Sequence, residues 1–217
     1  MLLINVCSAI GQSFPFPTIK KYGKVIKDFI PVNWFIKDSC FGDLNNDSSP
    51  DLAFVIQFKD TIEESRPDSS INTGSPRVLI VCLKNNTTGL FDLFIQNNTF
   101  IYRYGEGGMD PDPYNKIDIS NKVLTISYIY TRGHADYKFR YQNKDFFLIG
   151  AEDGGVDGGQ IDFWDFNFMT KKAKHEWGDM SSEKMNTKWV TLSFKKLRRL
   201  REMSIPFSWE ILPTVFI

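Results

Sequence analysis

The feature that most limits the fold of this chain is an alternation of side chains with a period of two. From Tyr137 to Gln142 aromatic residues alternate with polar ones, and in the preceding run, Val123 to Thr131, bulky apolar residues share one face. Such alternation is typical of antiparallel strands with one buried face. Helical periodicity is scarce along the rest of the chain. The pattern therefore predicts a mostly β protein.

Short polar pairs separate these alternating runs. Asn121-Lys122 and Asn143-Lys144 each stand between two apolar stretches, and asparagine tolerates the left-handed backbone that two-residue turns require. We expect Arg132-Gly133-His134 to form a further turn. Residues 115–150 therefore predict an antiparallel meander of about four strands.

Further strands are expected both before and after this meander. Apolar or alternating runs lie at residues 52–58, 77–83, 90–95, 161–168 and 189–194. No linker rich in glycine, serine or proline divides the chain, so residues 12–217 predict one β-rich domain. We expect its antiparallel strands to form a sandwich or a partial propeller-like set of sheets.

Three segments do not follow the strand pattern clearly. Residues 18–28 suit either a short helix or a strand, and the basic segment 195–203 predicts a helix of two to three turns. One or two short helices are therefore expected. The final segment, 205–217, either packs onto the sheet as an extended strap or forms an exposed tail.

Residues 1–11 are typical of the end of a secretion signal. Leu2 to Val6 is apolar, and Ala9-Ile10-Gly11 fits the small-x-small cleavage pattern, which places cleavage before Gln12. The alternative is an ordinary buried N-terminal strand. No other run approaches the roughly 18 apolar residues of a membrane span. The expected location is secreted or periplasmic, at a bacterial cell envelope.

The charge of the chain limits its expected binding partners, and its cysteine content limits its possible disulfides. Lysine plus arginine equal aspartate plus glutamate at 26 each, so the chain has no general attraction for nucleic acid or an anionic membrane. After removal of the signal, Cys40 and Cys82 remain. They could form one disulfide in an oxidising compartment or serve as small apolar residues.

One loop has a spacing that suits a metal ion. Between Asp43 and Asp51, oxygen-bearing side chains fall at positions 1, 3, 5 and 9, and an apolar run follows at once. The side chains are those of Asp43, Asn45, Asp47 and Asp51. Calcium takes six to eight such oxygen ligands. The alternative is a turn that is capped by its own aspartate and asparagine side chains.

The stretch Gly42 to Leu52 resembles the calcium loop of FG-GAP and VCBS-type repeats, in which D-x-N-x-D-G-x-x-D leads into a strand. The resemblance implies that the backbone carbonyl of Ser49 joins the four side chains as a ligand, and that the Ca²⁺ ion is structural. Ser48 replaces the consensus glycine, whose left-handed backbone costs another residue about 1 kcal/mol. Phe54 stands where an EF-hand has its bidentate glutamate.

A wider set of segments is similar to an uncharacterised family of secreted bacterial proteins. The similar segments are Ile30-Pro31 with Trp34, Gly42 to Asn45, Pro76 to Ile80, Gly105 to Pro113, Phe139 to Gln142 and Leu148 to Gly150. The resemblance implies export and a β-rich fold, and it implies no activity.

Two further acidic segments are candidate ligand-binding loops. The first carries Tyr104, Glu106, Asp110 and Asp112 among glycines and prolines. It could form a binding lip, hold a second cation or be an ordered surface loop, since binding residues concentrate on such loops. The second, 152–159, contains Asp153 and Asp157 between glycines. It could wrap a cation, and the favoured interpretation is a flexible hairpin tip.

The sequence lacks the familiar catalytic signatures. It has no nucleophile elbow, P-loop or dinucleotide fingerprint, and neither His134 nor His175 has a partner at metal-ligand spacing. We therefore expect a non-catalytic, calcium-stabilised module that binds a protein or glycan, with exposed aromatics as a stacking platform. The alternative is a cell-wall or glycan hydrolase that uses carboxylates such as Glu106, Asp110 or Asp153.

Overall fold

The computed structural model of the protein describes residues 14–65, 71–106, 109, 112–182 and 184–217. The predicted signal segment 1–11 lies outside these residues. The first eight strands in chain order are β1 (Tyr22–Gly23), β2 (Trp34–Gly42), β3 (Asp51–Phe58), β4 (Ile62–Ser65), β5 (Ile71–Gly74), β6 (Arg77–Lys84), β7 (Phe91–Asn97) and β8 (Tyr114–Ser120). The next eight are β9 (Val123–Tyr130), β10 (Gly133–Gln142), β11 (Asp145–Asp157), β12 (Gln160–Asn167), β13 (Lys172–Asp179), β14 (Met185–Thr191), β15 (Glu210–Leu212) and β16 (Val215–Phe216). The mostly β, antiparallel class is thus confirmed.

Strands β8 to β14 form a seven-stranded antiparallel sheet, here called sheet B, in which each strand pairs with its neighbours along the chain. The sheet curls into a half-barrel. The predicted meander over 115–150 is confirmed and continues for three more strands.

The two-residue turns of sheet B follow the predicted chemistry in two places out of three. Asn121 and Lys122 have φ of 50° and 63°, and Asn143 and Lys144 have φ of 49° and 61°, as a tight hairpin turn requires. The third prediction is wrong by one residue, because Gly133 already begins β10 and the turn precedes it.

The second large sheet, called sheet A, has five strands in the order β1-β7-β6-β3-β2. The consecutive residues Leu52 to Ile56 of β3 and Val78 to Cys82 of β6 are fully buried. Successive side chains of a strand point to opposite faces, so sheet A must be covered on both of them. The predicted buried strands at 52–58 and 77–83 are confirmed.

One face of sheet A packs on the concave face of sheet B, which makes a β-sandwich. Val55 and Val81 from sheet A meet Ile126, Tyr128 and Tyr137 from sheet B in one continuous core. Each large apolar side chain buried there contributes about 1.5–3 kcal/mol. The sandwich is therefore held mainly by this shared apolar core.

The other face of sheet A is covered by the segment 14–33. Its residues Ile19 and Phe29 are buried against β3 and β6, and Phe14 packs on Trp34 and Phe58 with ring centroids 6.1 and 5.1 Å apart. Within it, the region that suited a helix or a strand contains β1 and a 3₁₀ helix at Ile26–Phe29.

The C-terminal region departs from the predicted helix. Residues 195–203 contain only a 3₁₀ turn, Leu200–Glu202. The backbone of this segment instead forms hydrogen bonds with sheet B, where the N–H of Leu148 donates to the carbonyl of Arg198 at 2.9 Å. The strap alternative for 205–217 is confirmed, because β15 and β16 form a hairpin whose Ile211 and Ile217 are buried in the main core.

The structure excludes a disulfide between Cys40 and Cys82. Cys40 pairs across β2 and β3 with Ala53, whereas Cys82 pairs with Leu52. Because adjacent residues of β3 face opposite ways, the two cysteines lie on opposite faces of sheet A. Both thiols are free, and burial raises their pKa to about 12.

Candidate functional site

The loop between β2 and β3 is organised by its own side chains. The carboxylate of Asp43 accepts hydrogen bonds from three backbone N–H groups, those of Asn46 (2.7 Å), Asp47 (3.2 Å) and Ser48 (3.2 Å). Asn45 and Asp47 each accept an N–H from the residue two positions further on, at 3.0 and 2.9 Å. These are Asx-turns, as the capped-turn alternative expected.

Ser48 adopts the backbone conformation of the glycine that it replaces. Its φ is 67°, in the left-handed region. Serine pays roughly 1 kcal/mol for that conformation, and the N–H bond from Ser48 to Asp43 is part of what holds it there. Ser48 thus has the left-handed backbone that a glycine at this position would supply, despite the substitution.

Asp51 joins this loop to sheet A from a fully buried position. One carboxylate oxygen accepts the N–H of Leu44 and the other the N–H of Lys84, both at 2.8 Å. Burial raises the pKa of the Asp51 carboxyl and the nearby Asp47 charge raises it further, while these N–H groups oppose the rise. A cation in the loop would relieve the repulsion between the two carboxylates.

The donor set of the loop fits calcium in its chemistry. The predicted ligands Asp43, Asn45, Asp47, Ser49 and Asp51 offer only hard oxygen atoms. A carboxylate oxygen that accepts one N–H has a second lone pair, whereas Oδ1 of Asp43 accepts two N–H groups. Among the described residues, however, no three His, Cys, Asp or Glu side chains converge as a metal site would require. Binding would therefore need the side chains to shift inward from their capping positions.

In the first candidate ligand-binding loop, Asp112 lies in an internal ion pair. The side chain of Arg77 is fully buried and its two terminal nitrogens bind the Asp112 oxygens at 2.6 and 2.8 Å. Lys37 binds the same carboxylate at 2.9 Å. Burial alone would raise the pKa of Asp112, but Arg77 and Lys37 hold it below its ordinary value. Asp112 therefore anchors the loop to sheet A.

The other predicted residues of this loop are scattered. Tyr104 is half exposed and forms a β-bridge with Ser75. Glu106 accepts the N–H of Arg103 at 2.8 Å and lines a cavity of about 590 Å³ beside Phe16. Asp110 lies outside the described residues. The structure does not bring Tyr104, Glu106 and Asp112 together around one cavity.

The second candidate loop, 152–159, is not a flexible tip. Residues 152–157 belong to β11 and pair with β12, and residues 152–155 also pair with β10. The turn is formed by Gly158-Gly159, with φ of 54° and 82°. The glycines reflect close packing rather than flexibility, because a Cβ on Gly154 would lie 1.8 Å from the ring of Phe163. Asp157 stands at the end of β11 with a fully exposed side chain.

Asp153 points into an open cavity of about 550 Å³ at one end of sheet B, bordered by Tyr130, Arg132, Gly155 and Asp162. The strand register extends this surface across the sheet. Asp153 pairs with Trp164 and Trp164 with His175, while Asp162 pairs with Trp177. Since cross-strand partners share a face, all of these side chains lie on the concave face. We call the set Tyr130, Asp153, Asp162, Trp164, His175 and Trp177 the concave groove.

A row of stacked rings leads from the core into the concave groove. Phe168 and Phe166 are buried, and their ring centroids are 6.0 Å apart with planes 6° from parallel. Trp164 follows at 5.5 Å, then His175 at 4.0 Å and Trp177 at 4.6 Å. The last three rings are only half buried. The row therefore presents an aromatic surface at the open end of the sandwich.

Two aspartates, Asp153 and Asp162, provide the charged groups of the concave groove. Asp162 accepts a hydrogen bond from Nε2 of His175 at 2.8 Å, which orients the imidazole within the ring row. Burial, the main cause, and the nearby charge of Asp162 together raise the pKa of Asp153 to about 6, although His134 opposes the rise. Among the described residues no cationic side chain lies within ion-pair distance of Asp153. The half-buried carboxylate of Asp153 thus faces the cavity without a described cation at ion-pair distance.

Sequence reasoning found only part of this groove. Asp153 was among the predicted ligand-binding residues, and exposed aromatic side chains were expected to form a stacking platform. Asp162, His175 and Trp177 were missed as site residues. Period-two spacing places Trp164 with Phe166 and His175 with Trp177, but the register between β12 and β13 joins the two pairs. That register cannot be read from either strand alone.

Comparison of the chain with protein-family models, with curated proteins and with solved structures finds no match. The FG-GAP-like and secreted-family resemblances therefore stay predictions. Within the part of the chain that the structure describes, no helix is long and apolar enough to cross a membrane.

Proposed function

We propose that this protein is an exported, calcium-stabilised and non-catalytic binding module of the bacterial cell envelope, and that its protein or glycan ligand binds in the concave groove. The observation that carries the proposal is the row of rings that continues from the core onto an open surface. Ligand sites are typically concave and aromatic, with a few polar groups and volumes of about 300–1,000 Å³. The groove combines these features.

The calcium loop and the groove lie at opposite ends of sheet B. Lys122, in the turn before β9, bonds to Asn46 of the loop, whereas Tyr130, at the end of β9, borders the groove. The eight residues of β9 span about 23 Å. A calcium ion in the loop would therefore act on the β2–β3 turn and not on the ligand. Its proposed role is structural.

The binding role is tested with a panel of soluble oligosaccharides and peptides and with two tryptophan variants. Trp177→Ala removes a ring of the groove. Trp189→Ala removes an exposed ring from the opposite face of sheet B and is the matched control. We expect at least one ligand whose affinity falls tenfold or more in the first variant and is unchanged in the second. Equal effects of both variants, or no ligand at all, would reject the groove.

The calcium role is tested by thermal melting of the purified chain with excess calcium and with chelator. A ligand that binds only the folded state raises the melting temperature, and the rise grows with the logarithm of the ligand concentration once this exceeds the Kd. Asp47→Asn removes one charge from the loop and should reduce the calcium-dependent shift. An identical melting temperature with calcium and chelator in the parent chain would remove calcium from the proposal and leave a self-capped turn.

A hydrolase remains the second candidate because the groove contains two carboxyl groups. Glycoside hydrolysis uses such a pair, one as acid and one as base or nucleophile. The raised pKa of Asp153 suits an acid, while Asp162 is bonded to His175. Any bound oligosaccharide should therefore be followed for cleavage products. Products that disappear in both Asp153→Asn and Asp162→Asn, with binding retained, would replace the binding module by the hydrolase.

A further inference from the structure

We infer that the ligand of the concave groove is an oligosaccharide with free amino groups, and that one ammonium group binds beside Asp153. This inference rests on the proposed function, because it assigns the chemical class of the ligand for the same groove. It goes beyond that function by naming the group that the ligand must carry.

The first step is the balance of charge on the concave face. Four aspartates lie there, and three of them have partners. Asp157 lies 3.5 Å from Arg132, Asp162 bonds to His175 at 2.8 Å, and Asp179 accepts hydrogen bonds from Gln160 and Ser181. Asp153 differs from them, because among the described residues it has no side-chain partner, and only the backbone N–H of Gly154 and the charge of His134 favour its ionised form. The nearest cation in its cross-strand row is Lys188, three strands away on β14, or about 14 Å.

The second step is the free-energy cost of a partly buried Asp153 carboxylate that has no cationic partner. A carboxylate that is partly removed from water is disfavoured unless it is paired, which is why burial raises its pKa. A ligand ammonium within contact distance would restore the charged form. Aromatic rings beside the site would also favour a cation. Trp164 is the cross-strand partner of Asp153 and is half buried.

The third step separates a sugar from a peptide. Hydroxyl-rich rings need many hydrogen-bonding groups beside flat apolar surfaces. The groove offers the carboxylate of Asp162 and, along its rim, the side-chain amides of Gln160 and Asn186. The described cavity at Asp153 is open, whereas peptide side chains are usually fixed in enclosed apolar pockets. An open cavity that continues into a row of rings suits an extended chain of sugar units.

The test uses calorimetric titration, at one pH near neutrality, of oligosaccharides of equal length. Glucosamine oligomers carry amines, N-acetylglucosamine oligomers are neutral and galacturonate oligomers are acidic. A short lysine-rich peptide is the fourth probe. We expect the glucosamine oligomer to bind at least tenfold more tightly than its acetylated counterpart and the acidic oligomer to bind most weakly.

Variants of Asp153 link this preference to the carboxylate. Asp153→Asn should abolish the difference between glucosamine and N-acetylglucosamine oligomers, whereas Asp153→Glu should retain part of it. Asp165→Asn is the matched control, because Asp165 is an exposed aspartate of β12 on the opposite face. Thermal melting of each variant confirms that it folds.

The outcomes separate this inference from the function on which it rests. Equal affinity for neutral and amino sugars, tighter binding of the acidic oligomer, or a preference that survives in Asp153→Asn would overturn the inference alone, provided that binding still depends on Trp177. Binding of the lysine-rich peptide alone would overturn the saccharide class. Trp177-independent binding of every probe, or none, would overturn both.

Discussion

Sheets A and B are built from the same antiparallel pairing, yet one is a covered scaffold and the other carries an open surface. In sheet A, β3 and β6 each have six consecutive buried residues. In sheet B, β12 has one buried residue in eight and β14 has none in seven. A strand that is buried on both faces cannot present side chains to a ligand. The difference therefore locates the candidate site on sheet B.

The cause of the difference is what lies against each sheet. Sheet A is covered by sheet B on one side and by the segment 14–33 on the other. The concave face of sheet B is filled by sheet A and by the C-terminal strap, whose Phe207 packs on Tyr130 with ring centroids 5.8 Å apart. Beyond Phe207 the cavity begins. The groove is the part of the concave face that these fillers do not reach.

The largest effect that we predict concerns the buried ion pair of Arg77 and Asp112 at one end of sheet A. Arg77→Met keeps an unbranched apolar stem but removes the guanidinium that donates to Asp112, to the carbonyl of Tyr102 and to the side-chain oxygen of Gln57. Removing one partner of a buried pair costs about 3–5 kcal/mol. Urea denaturation should show this loss. Lys37→Met removes the more exposed partner and should cost about 1 kcal/mol or less; equal losses would mean that Arg77 is no anchor.

A smaller loss is expected at the other end of sheet A. Asp51→Ala removes the acceptor of two backbone N–H groups, those of Leu44 and Lys84. Only the Leu44 bond is buried, and an unpaired buried N–H costs about 1–3 kcal/mol. Asp51→Asn retains one acceptor oxygen and should cost less in chelator. The same variant should also lower the calcium-dependent rise in melting temperature. If Asp51→Ala and Asp51→Asn denature at the same urea concentration, the N–H bonds are not what matters.

The smallest effect tests sheet B and has the opposite sign. The pKa of Asp153 is raised to about 6 in the folded protein, so between its ordinary value of 3.8 and about 6 the folded state binds more protons than the unfolded state. Stability contributed by this group is therefore present at low pH and lost as the pH rises through that window. Asp153→Asn should raise the melting temperature at pH 7, by about 2 °C.

The benefit of Asp153→Asn should vanish below the ordinary pKa of an aspartate, where both states are protonated. Asp165→Asn, on the exposed face of the same sheet, should change the melting temperature at neither pH. A variant at Asp153 that is less stable at pH 7 than the parent would show that the carboxylate is already paired. If Asp153→Asn gains stability but loses ligand binding, the Asp153 carboxylate is retained for function at a cost in stability.

Most of the fold followed from local patterns. Alternation with a period of two located the strands of the meander, and unbroken apolar runs located β3 and β6. The two Asn-Lys pairs predicted the positions of hairpin turns, because asparagine tolerates a positive φ. The helix expected over 195–203 was wrong, because the backbone of that segment bonds to the edge of β11. Charge and propensity within nine residues could not show that competing partner.

The candidate site was less accessible to sequence. Its strands are visible as patterns, and Asp153 stood out as an acid among glycines. Those glycines suggested flexibility, whereas in the structure they allow strand backbones and the ring of Phe163 to approach closely. Asp162, His175 and Trp177 have no distinguishing spacing of their own. They become a site only beside Trp164 and Asp153.

The sequence by itself thus determined the strand class and two of the hairpin turns, and it offered the self-capped turn at 43–51 as an alternative to a calcium loop. Each of these depends on residues a few positions apart. Only the tertiary structure decided which faces are covered, which cysteines can meet and which side chains line the groove. Those outcomes depend on strand register and on the packing of segments far apart in the chain. A shift of register by one residue would turn Asp162 and Trp164 to the opposite face, and no local pattern prevents it.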